Sequence, residues 1–228
     1  MAIFEPTLRV ARLVVLQGQR VVFDEKFLPG VNIIRGENSS GKTSIMDFIA
    51  FVLGAESIRW KPEALRCSQV LAEVSLNGKV ACFRREVADA HSIPTYVYWG
   101  ALESALVAAV HQWESFPFRR SEKLLSSSQV AFNALNIPQA QGDGASNLTM
   151  HQILRVLYAD QPSVHSPIFR LDRFDNAIIR ATVGWYLTGI YDDNLLEAQL
   201  RMRELGKELE KLGSELVNRP EIPGDSGL

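Results

Sequence analysis

The sequence lacks the features that mark secreted, disulfide-stabilised or membrane-spanning proteins. It has two cysteines, Cys67 and Cys82, whose spacing forms neither a disulfide framework nor a metal motif. No apolar run reaches the roughly 18 residues that a spanning helix needs. The N-terminal segment MAIFEPTLRV has no basic region before an apolar stretch, so it is not a signal peptide. We expect a cytoplasmic protein with both thiols buried and no membrane contact.

The chain also lacks an excess of charge of either sign. Among 228 residues, 24 are Lys or Arg and 26 are Asp or Glu, which gives a formal net charge of −2. DNA contact would therefore need a local basic patch or a partner. Arg84-Arg85 and Arg119-Arg120 are the candidate patches, although paired charges of this kind are usually just solvated.

The N-terminal residues show the pattern of strands that lead into a helix. Leu8 to Leu16 and Arg20 to Phe27 are rich in Val, Leu and Phe, and Gln17–Gln19 supplies a turn between them. Val31 to Ile34 is a short apolar run, typical of a strand that is buried on both faces. A helix is predicted from Ser44 to Leu53.

A β-hairpin subdomain is predicted over about residues 68–100. Leu71–Leu76 meets Lys79–Phe83 across Asn77-Gly78, the pair that a two-residue type I′ turn prefers. Tyr96–Trp99 is predicted as a third strand.

The second half of the chain is predicted to be mainly helical. One helix covers residues 101–113, and another opens at Thr149, which has capping-box spacing with Gln152. An amphipathic helix follows from Asp175 to Ile190. Its predicted buried side contains Ile178, Ile179, Val183, Tyr186, Leu187 and Ile190.

The last predicted helix has an apolar stripe that alternates steps of four and three residues, as in a coiled coil. The stripe consists of Tyr191, Leu195, Ala198, Met202, Leu205, Leu209, Leu212 and Leu216. We expect a lobe over residues 1–190, the start of a coiled-coil arm over 191–217, and a flexible tail or linker over 218–228. The alternative is a terminal amphipathic helix that packs on the lobe.

Residues 36–43 carry the clearest chemical signal. The segment GENSSGKT fits the phosphate-loop pattern G-x-x-x-x-G-K-[ST], with a predicted strand before it and a helix after it. Gly36 and Gly41 let the backbone approach phosphates without a Cβ clash. The amides from Ser39 to Ser44, Ser40 included, form an anion nest at the positive end of the helix.

Two side chains complete the predicted site. Lys42 places a mobile charge between the β- and γ-phosphates, and Thr43 offers a hydroxyl to Mg²⁺. The segment therefore predicts binding of ATP with Mg²⁺.

The longer segment GVNIIRGENSSGKTS resembles the N-terminal head lobe of the SMC, RecN and RecF type of ABC-like ATPase. Asn38 matches an asparagine of that family's loop, and Ser39 replaces its common glycine. The resemblance covers roughly residues 5–216, closely near the loop and only in topology elsewhere. It implies an α/β fold, namely a P-loop half-head with a β-hairpin subdomain and a C-terminal coiled-coil stub.

The resemblance also implies roles for two residues outside the loop. Gln161 follows Tyr158 in a segment similar to the family's glutamine loop, which implies a ligand to Mg²⁺ that senses the γ-phosphate. Arg20 is the arginine that would reach the nucleotide phosphates. Two other interpretations stay open for the segment around Gln161: a degraded Walker B strand over Leu154–Asp160, or an ordinary turn that ends a helix.

Some parts of a complete ATPase head are missing from the sequence. We find no Ser-x-Gly-Gly signature, and we expect no apolar strand that ends in Asp-Glu to supply Walker B and the general base. In SMC-type proteins both lie in a C-terminal lobe, so we expect a fragment, a split protein or one of two chains. The chain alone is expected not to hydrolyse ATP. With its partner lobe it would dimerise heads on ATP and contact DNA through the assembled complex.

The biological role is left between DNA repair and antiviral defence. The segment HSPIFRLDRFDNAIIRATVGWYLTGI is similar to SMC-like subunits of Lamassu-type bacterial defence systems. The alternatives are a P-loop kinase or transferase that acts on a small acceptor, and a non-catalytic scaffold that senses a nucleotide.

Overall fold

A computed structural model of the chain describes residues 6–56, 58–121, 123–137, 148–159, 177–190 and 193–217. The chain divides into two compact units. The first comprises Met1–Gln139 with Leu148–Tyr191, and the second comprises Ala140–Asn147 with Asp192–Leu228. No helix among the described residues is both long and apolar enough to cross a membrane.

The first unit contains a six-stranded antiparallel sheet in the order β2-β1-β3-β4-β5-β6. Its strands are β1 (Leu8–Gln17), β2 (Arg20–Lys26), β3 (Gln69–Leu76), β4 (Lys79–Glu86), β5 (Thr95–Tyr98) and β6 (Glu114–Phe116). The first two predicted strands and the predicted hairpin belong to this one sheet, because β1 pairs with both β2 and β3.

The turn predicted between β3 and β4 is confirmed. Asn77 and Gly78 have φ values of 49° and 83°, both in the left-handed region that a type I′ turn requires. Every residue of β3 then pairs with one of β4 in an unbroken register, from Leu76 opposite Lys79 to Gln69 opposite Glu86.

Five helices of at least six residues are described in the first unit and one in the second. They are α1 (Lys42–Val52), α2 (Leu102–Val107), α3 (Ser127–Ala134), α4 (Met150–Leu157) and α5 (Ala177–Thr188), then α6 (Asp193–Val217). Short 3₁₀ turns occur at Ala64–Arg66 and Val110–Gln112. The capping box predicted for α4 is confirmed, because the Thr149 N–H donates to Gln152 Oε1 at 2.7 Å.

The helix predicted over residues 101–113 is wrong in its length. α2 ends at Val107, and the next two alanines have extended backbone with ψ values of 138° and 153°. This extended pair redirects the chain so that Trp113 can enter the core beside Leu102 and Ala105. Helical periodicity in the sequence could not reveal a break at alanine, the residue with the highest helix propensity.

The strand predicted over Val31–Ile34 is also wrong. The structure has no strand there, and Val31 and Ile33 are 91% and 73% exposed. The side chain of Asn32 instead closes a turn, since its amide group bonds to the N–H and the carbonyl of Leu28, each at 2.9 Å. A strand buried on both faces requires neighbouring strands, and no described residues pair with this segment.

The two faces of the sheet carry different elements. Side chains alternate between the faces along each strand. The face that holds Val15, Val70 and Arg85 packs against α1 and is called the α1 face below. The face that holds Val14, Leu71 and Cys82 packs against α2 and Trp113 and is called the α2 face.

The two last helices show how far the apolar patterns predicted burial. Val183 and Tyr186 of α5 are buried as predicted, whereas Leu187 of α5 and Ile190, two residues beyond its end, are 43% and 39% exposed. The helix predicted in the stripe region is confirmed as α6, which spans 25 residues. The described large apolar residues of its stripe are exposed: Met202, Leu205, Leu209, Leu212 and Leu216. Residues 218–228 lie outside the described part of the chain.

Candidate phosphate-binding site

The loop from residue 36 to 43 is tightly curled. Ser39 and Gly41 have φ values of 64° and 90°, and the Ser40 N–H donates to the carbonyl of Glu37 at 3.3 Å. Left-handed residues in such a loop turn successive backbone N–H groups toward one side, which forms an anion-binding nest. Ser39 adopts the left-handed backbone that glycine occupies more easily, although it replaces the glycine common at this position.

Gly36 is required by the closeness of the curl. A Cβ atom built on Gly36 would lie 2.5 Å from Ser40 Oγ and 3.3 Å from Ser40 Cβ. A side chain at this position would therefore require Ser40 to shift. The role of Gly36 toward phosphates stays a prediction.

The loop ends at the uncapped N-terminus of α1. Gly41 is the N-cap, with no side chain that accepts from the first turn and no acidic residue within that turn. The first helical hydrogen bond runs from Ile45 N–H to Gly41 O at 3.1 Å, so the amides of Lys42, Thr43 and Ser44 precede the regular ladder. Uncapped N–H groups at the positive end of a helix favour an anion.

The side chain of Lys42 crosses the loop. Its Nζ donates to Gly36 O at 2.8 Å and to Glu37 O at 2.6 Å. The ammonium group is thus held beside the nest by backbone carbonyls. A group with more negative charge, such as a polyphosphate, can replace those carbonyls as its partner.

The remaining predicted loop residues are accessible to solvent. Thr43 is exposed on the first turn of α1, and Asn38, Ser39 and Ser40 are exposed in the loop. Amide donors, a lysine and a threonine hydroxyl thus lie within one short segment, and their chemistry fits a phosphate group with Mg²⁺.

Arg20 makes no described hydrogen bond or ion pair with this loop. It begins β2 opposite Gln17 and is exposed. Its role toward a nucleotide stays a prediction. Arg12 is instead committed to an ion-pair network, with Asp24 at 2.7 and 2.8 Å and with Glu103 at 2.8 Å.

The segment around the predicted metal ligand Gln161 is described only up to residue 159, and Gln161 and Asp160 lie outside the described residues. The Walker B interpretation of this segment is wrong where the structure describes it, because Leu154 to Leu157 is the last turn of α4. A helix cannot contribute a strand to a sheet.

The structure places two further polar side chains beside the loop helix. The hydroxyl of Tyr158 donates to Asp47 Oδ1 at 2.7 Å, which joins the end of α4 to α1. Asp47 lies four residues after Thr43 and therefore on the same side of the helix. That spacing was the available sequence signal for Asp47, whereas no local pattern marks Tyr158.

The expectation that no apolar strand ends in Asp-Glu is wrong, because the apolar run of β2 is followed by Asp24-Glu25. The hydrogen bond from Arg12 is the main reason that the pKa of Asp24 is lowered, and the charge of Lys26 adds to the effect. Since Asp24 is paired with Arg12 on an edge strand, it belongs to the sheet rather than to the phosphate site.

The arginine pair of β4 is divided between the two faces. Arg85 is 1% exposed and donates to the carbonyls of Phe51 at 2.5 Å, Ile93 at 3.0 Å and Ala55 at 3.2 Å. Burial lowers the pKa of Arg85 to about 10, so it remains charged at neutral pH. DNA contact by Arg85 is therefore excluded by its burial, and that interpretation is wrong.

Arg84 points to the opposite face. Its guanidinium lies over the rings of Trp113 and Tyr96, at 4.4 and 4.8 Å from their centroids. Arg119 and Arg120 are exposed, and DNA contact by that pair stays a prediction.

The curled glycine loop, the uncapped helix and the lysine across it define a P-loop nucleotide-binding site. A family model described as an AAA domain matches residues 16–151, which is more than half of the chain. The chain therefore belongs to the AAA domain family, a family of P-loop ATPases also found in SMC-like proteins. The family as a whole binds nucleotides and generally uses ATP and Mg²⁺. No curated protein matches the chain.

Proposed function

We propose that the chain is the ATP-binding N-terminal lobe of an SMC-like, DNA-associated ATPase. Its heads would dimerise on ATP, and hydrolysis would require a C-terminal lobe that supplies the signature motif and the Walker B acid. The observation that carries the proposal is the loop itself: Lys42 lies across a curled nest at an uncapped helix N-terminus.

Each residue of the loop has a distinct task in this function. The amides of residues 39–44 would bind the phosphates, and Lys42 would exchange its carbonyl partners for phosphate oxygens. Thr43 would hold Mg²⁺, which neutralises charge between the β- and γ-phosphates. Gln161 would add a second metal contact. Arg20 would reach the phosphates only if the nucleotide or a partner brings it close.

The exposed apolar segment beside the loop supports the need for a second lobe. Val31 and Ile33 are 91% and 73% exposed directly before Gly36, and Leu28 is 72% exposed. β2 is an edge strand of the described sheet, with Val21 and Val22 exposed at 51% and 43%. Apolar side chains next to an unpaired edge are typical of a surface that another element covers.

The exposed stripe of α6 supports the proposed arm. Its five exposed apolar residues have no cover within the described residues of their unit, as expected of one strand of a coiled coil. By this proposal a second helix of the same protein or of a partner chain completes the arm. DNA would bind to the assembled complex, in repair or in a Lamassu-type defence system.

Two other functions make different demands on the chain. A P-loop transferase requires an acceptor pocket and a lid rich in arginine. A nucleotide-sensing scaffold requires binding without turnover. The exposed stripe of α6 favours the proposed arm over the transferase, and the hydrolysis experiment below separates the arm from the scaffold.

Calorimetry with ATP and Mg²⁺ tests the binding site. Lys42→Ala should weaken binding by about 2–3 kcal/mol, the range for a lost charge-assisted hydrogen bond. Lys61→Ala, at an exposed lysine away from the loop, is the matched control and should leave the affinity unchanged. An equal affinity in wild type and Lys42→Ala would contradict the site.

Phosphate release from the same proteins tests the missing lobe. We expect the chain alone to turn over far more slowly than about one per second, the low end of ordinary enzymes. A C-terminal lobe that carries the signature motif and Walker B should restore turnover, more steeply than linearly with concentration if two heads must meet. Turnover of about one per second by the chain alone, abolished in Lys42→Ala, would show that it is a self-sufficient enzyme.

A further inference from the structure

One hydrogen bond connects the loop helix to a distant part of the sequence. The Tyr158 hydroxyl donates to Asp47 Oδ1 at 2.7 Å, across 111 residues. The backbone of Tyr158 is fixed as well, because its N–H donates to Leu154 O at 2.6 Å where α4 ends. The phenol ring therefore has a defined position between the end of α4 and α1.

Asp47 is placed close to the predicted metal ligand. It follows Thr43 by one helical turn on the same side of α1, and side chains four residues apart have Cβ atoms about 5–6 Å from each other. Thr43 is exposed whereas Asp47 is half-buried. Thr43 and Asp47 thus lie on one side of α1, and the Asp47 carboxylate accepts the hydrogen bond from Tyr158.

A carboxylate one helical turn from the threonine that would hold Mg²⁺ would act on the ion through its waters rather than as a ligand. Mg²⁺ in phosphate sites keeps several waters, and a nearby carboxylate can accept hydrogen bonds from them. The strength of that contact depends on where the carboxylate oxygens point. The hydrogen bond from Tyr158 to Asp47 Oδ1 restricts where the carboxylate oxygens point.

We propose that Tyr158 is a positioning residue for the magnesium side of the phosphate loop and acts through Asp47. The proposal rests on the proposed function, because it takes ATP and Mg²⁺ as the ligands of the loop. It also makes α4 responsive to the metal. By reciprocity, whatever moves the end of α4 changes Mg²⁺ affinity, and bound Mg²⁺ stabilises the observed position of α4.

The readout is the ratio of ATP affinity with Mg²⁺ to ATP affinity with a chelator. Tyr158→Phe removes one hydroxyl and should lower this ratio by about three- to tenfold, a typical coupling between contacting side chains. ATP affinity without metal should stay the same. Tyr98→Phe is the matched control, since Tyr98 lies on the α2 face beside Trp113, and should leave the ratio unchanged.

Variants of Asp47 separate the hydrogen bond from the charge. Asp47→Ala should lower the ratio at least as much as Tyr158→Phe, and the double variant should lose no more than Asp47→Ala alone. Asp47→Asn keeps an acceptor for Tyr158 but removes the charge, so it should still lower the ratio. Thermal unfolding of every variant shows that the fold is intact.

Two outcomes would overturn the inference. If Tyr158→Phe weakens ATP binding equally with and without Mg²⁺, the residue is merely structural. If the ratio is unchanged in both Tyr158→Phe and Asp47→Ala, the pair has no role toward the metal. Failure of the proposed function looks different, because wild type would then bind no ATP or Lys42→Ala would bind it equally well.

Discussion

The two faces of the sheet differ in how they accommodate charged side chains. On the α1 face, one charged side chain is fully buried and binds only backbone carbonyls, with an aromatic ring beside it. On the α2 face, several charged side chains share an ion-pair network that remains partly open to water. The difference follows from what each face carries.

The α1 face supports the helix that carries the phosphate loop. Arg85 donates to the carbonyl of Phe51 at the end of α1 and to that of Ala55 just beyond it. A cation at the C-terminus of a helix satisfies carbonyls that have no intrahelical partner and opposes the helix dipole. One end of α1 is therefore fixed to the sheet, and the other end is left with free amides for an anion.

The α2 face does not support the helix that carries the phosphate loop. Its core is small, with Val14, Leu71 and Cys82 under Leu102 and Trp113. Around that core, Arg12 binds Asp24 and Glu103 with partly exposed side chains. Exposed ion pairs of this kind contribute little to stability. We infer that stability and the geometry of the loop depend mainly on the α1 face.

The largest expected effect is the loss of Arg85. Arg85→Ala would leave the carbonyls of Ala55 and Ile93 without their donor and that of Phe51 with only the Gly54 N–H, and each buried group left unpaired costs about 1–3 kcal/mol. We expect a loss of about 3 kcal/mol or more in the free energy of unfolding, measured by urea denaturation. ATP affinity should also fall, because α1 loses its attachment to the sheet.

Arg84→Ala is the matched control. It removes a guanidinium group from the adjacent residue, whose side chain lies on the opposite face. Its stacking on two rings should be worth about 1 kcal/mol, and ATP affinity should not change. If the two variants were equally destabilised, the proposed difference between the faces would be wrong.

An intermediate effect is expected for the two thiols. Cys82 is buried in the α2-face core, and burial, together with the charges of Glu73 and Glu103, raises its pKa to about 12. Cys67 is half-buried, and burial also raises the pKa of its thiol. At pH near 8 we expect a thiol reagent to label Cys67 at least about tenfold faster than Cys82. The buried Cys82 reacts only when the structure around it opens locally.

Single-cysteine variants make this measurement direct. Cys67→Ser reports on Cys82 alone, and Cys82→Ser reports on Cys67 alone. Rapid labelling of Cys82 in a folded protein would mean that the α2 face opens readily and is even less stable than we infer.

Features that depend on a few neighbouring residues could be predicted from the sequence. The Asn77-Gly78 turn follows from a requirement for positive φ, and the start of α4 follows from the Thr149–Gln152 spacing. The phosphate loop is equally local. Its glycines, lysine and helix stand in one short segment, so their arrangement is set by their own geometry.

Features that depend on distant partners could not be predicted. Val31 and Ile33 have the composition of a buried strand, but burial requires neighbours that the described chain does not place there. The division of Arg84 and Arg85 between faces depends on the register of β4, which the charges themselves do not reveal. The contact of Tyr158 with Asp47 spans 111 residues and has no local signal.

The smallest expected effect concerns acid stability on the α2 face. The hydrogen bond from Arg12, reinforced by its charge, keeps the pKa of Asp24 below the ordinary value of an aspartate. A carboxyl group whose pKa is lower in the folded than in the unfolded state stabilises the fold above the unfolded pKa. That contribution is lost as the pH falls through the folded pKa.

The stabilisation by Asp24 should therefore be complete near pH 6, where an unfolded aspartate is ionised. It should be lost progressively as the pH falls below about 4. Since the Asp24 side chain is 35% exposed, solvent screening limits the effect to less than about 1 kcal/mol. We expect the free energy of unfolding of Asp24→Asn to fall less than that of wild type between pH 6 and pH 3. Added salt should reduce the difference. The exposed Asp89→Asn is the control, and a wild-type-like acid response of Asp24→Asn would show that the Arg12 pair contributes no measurable stability.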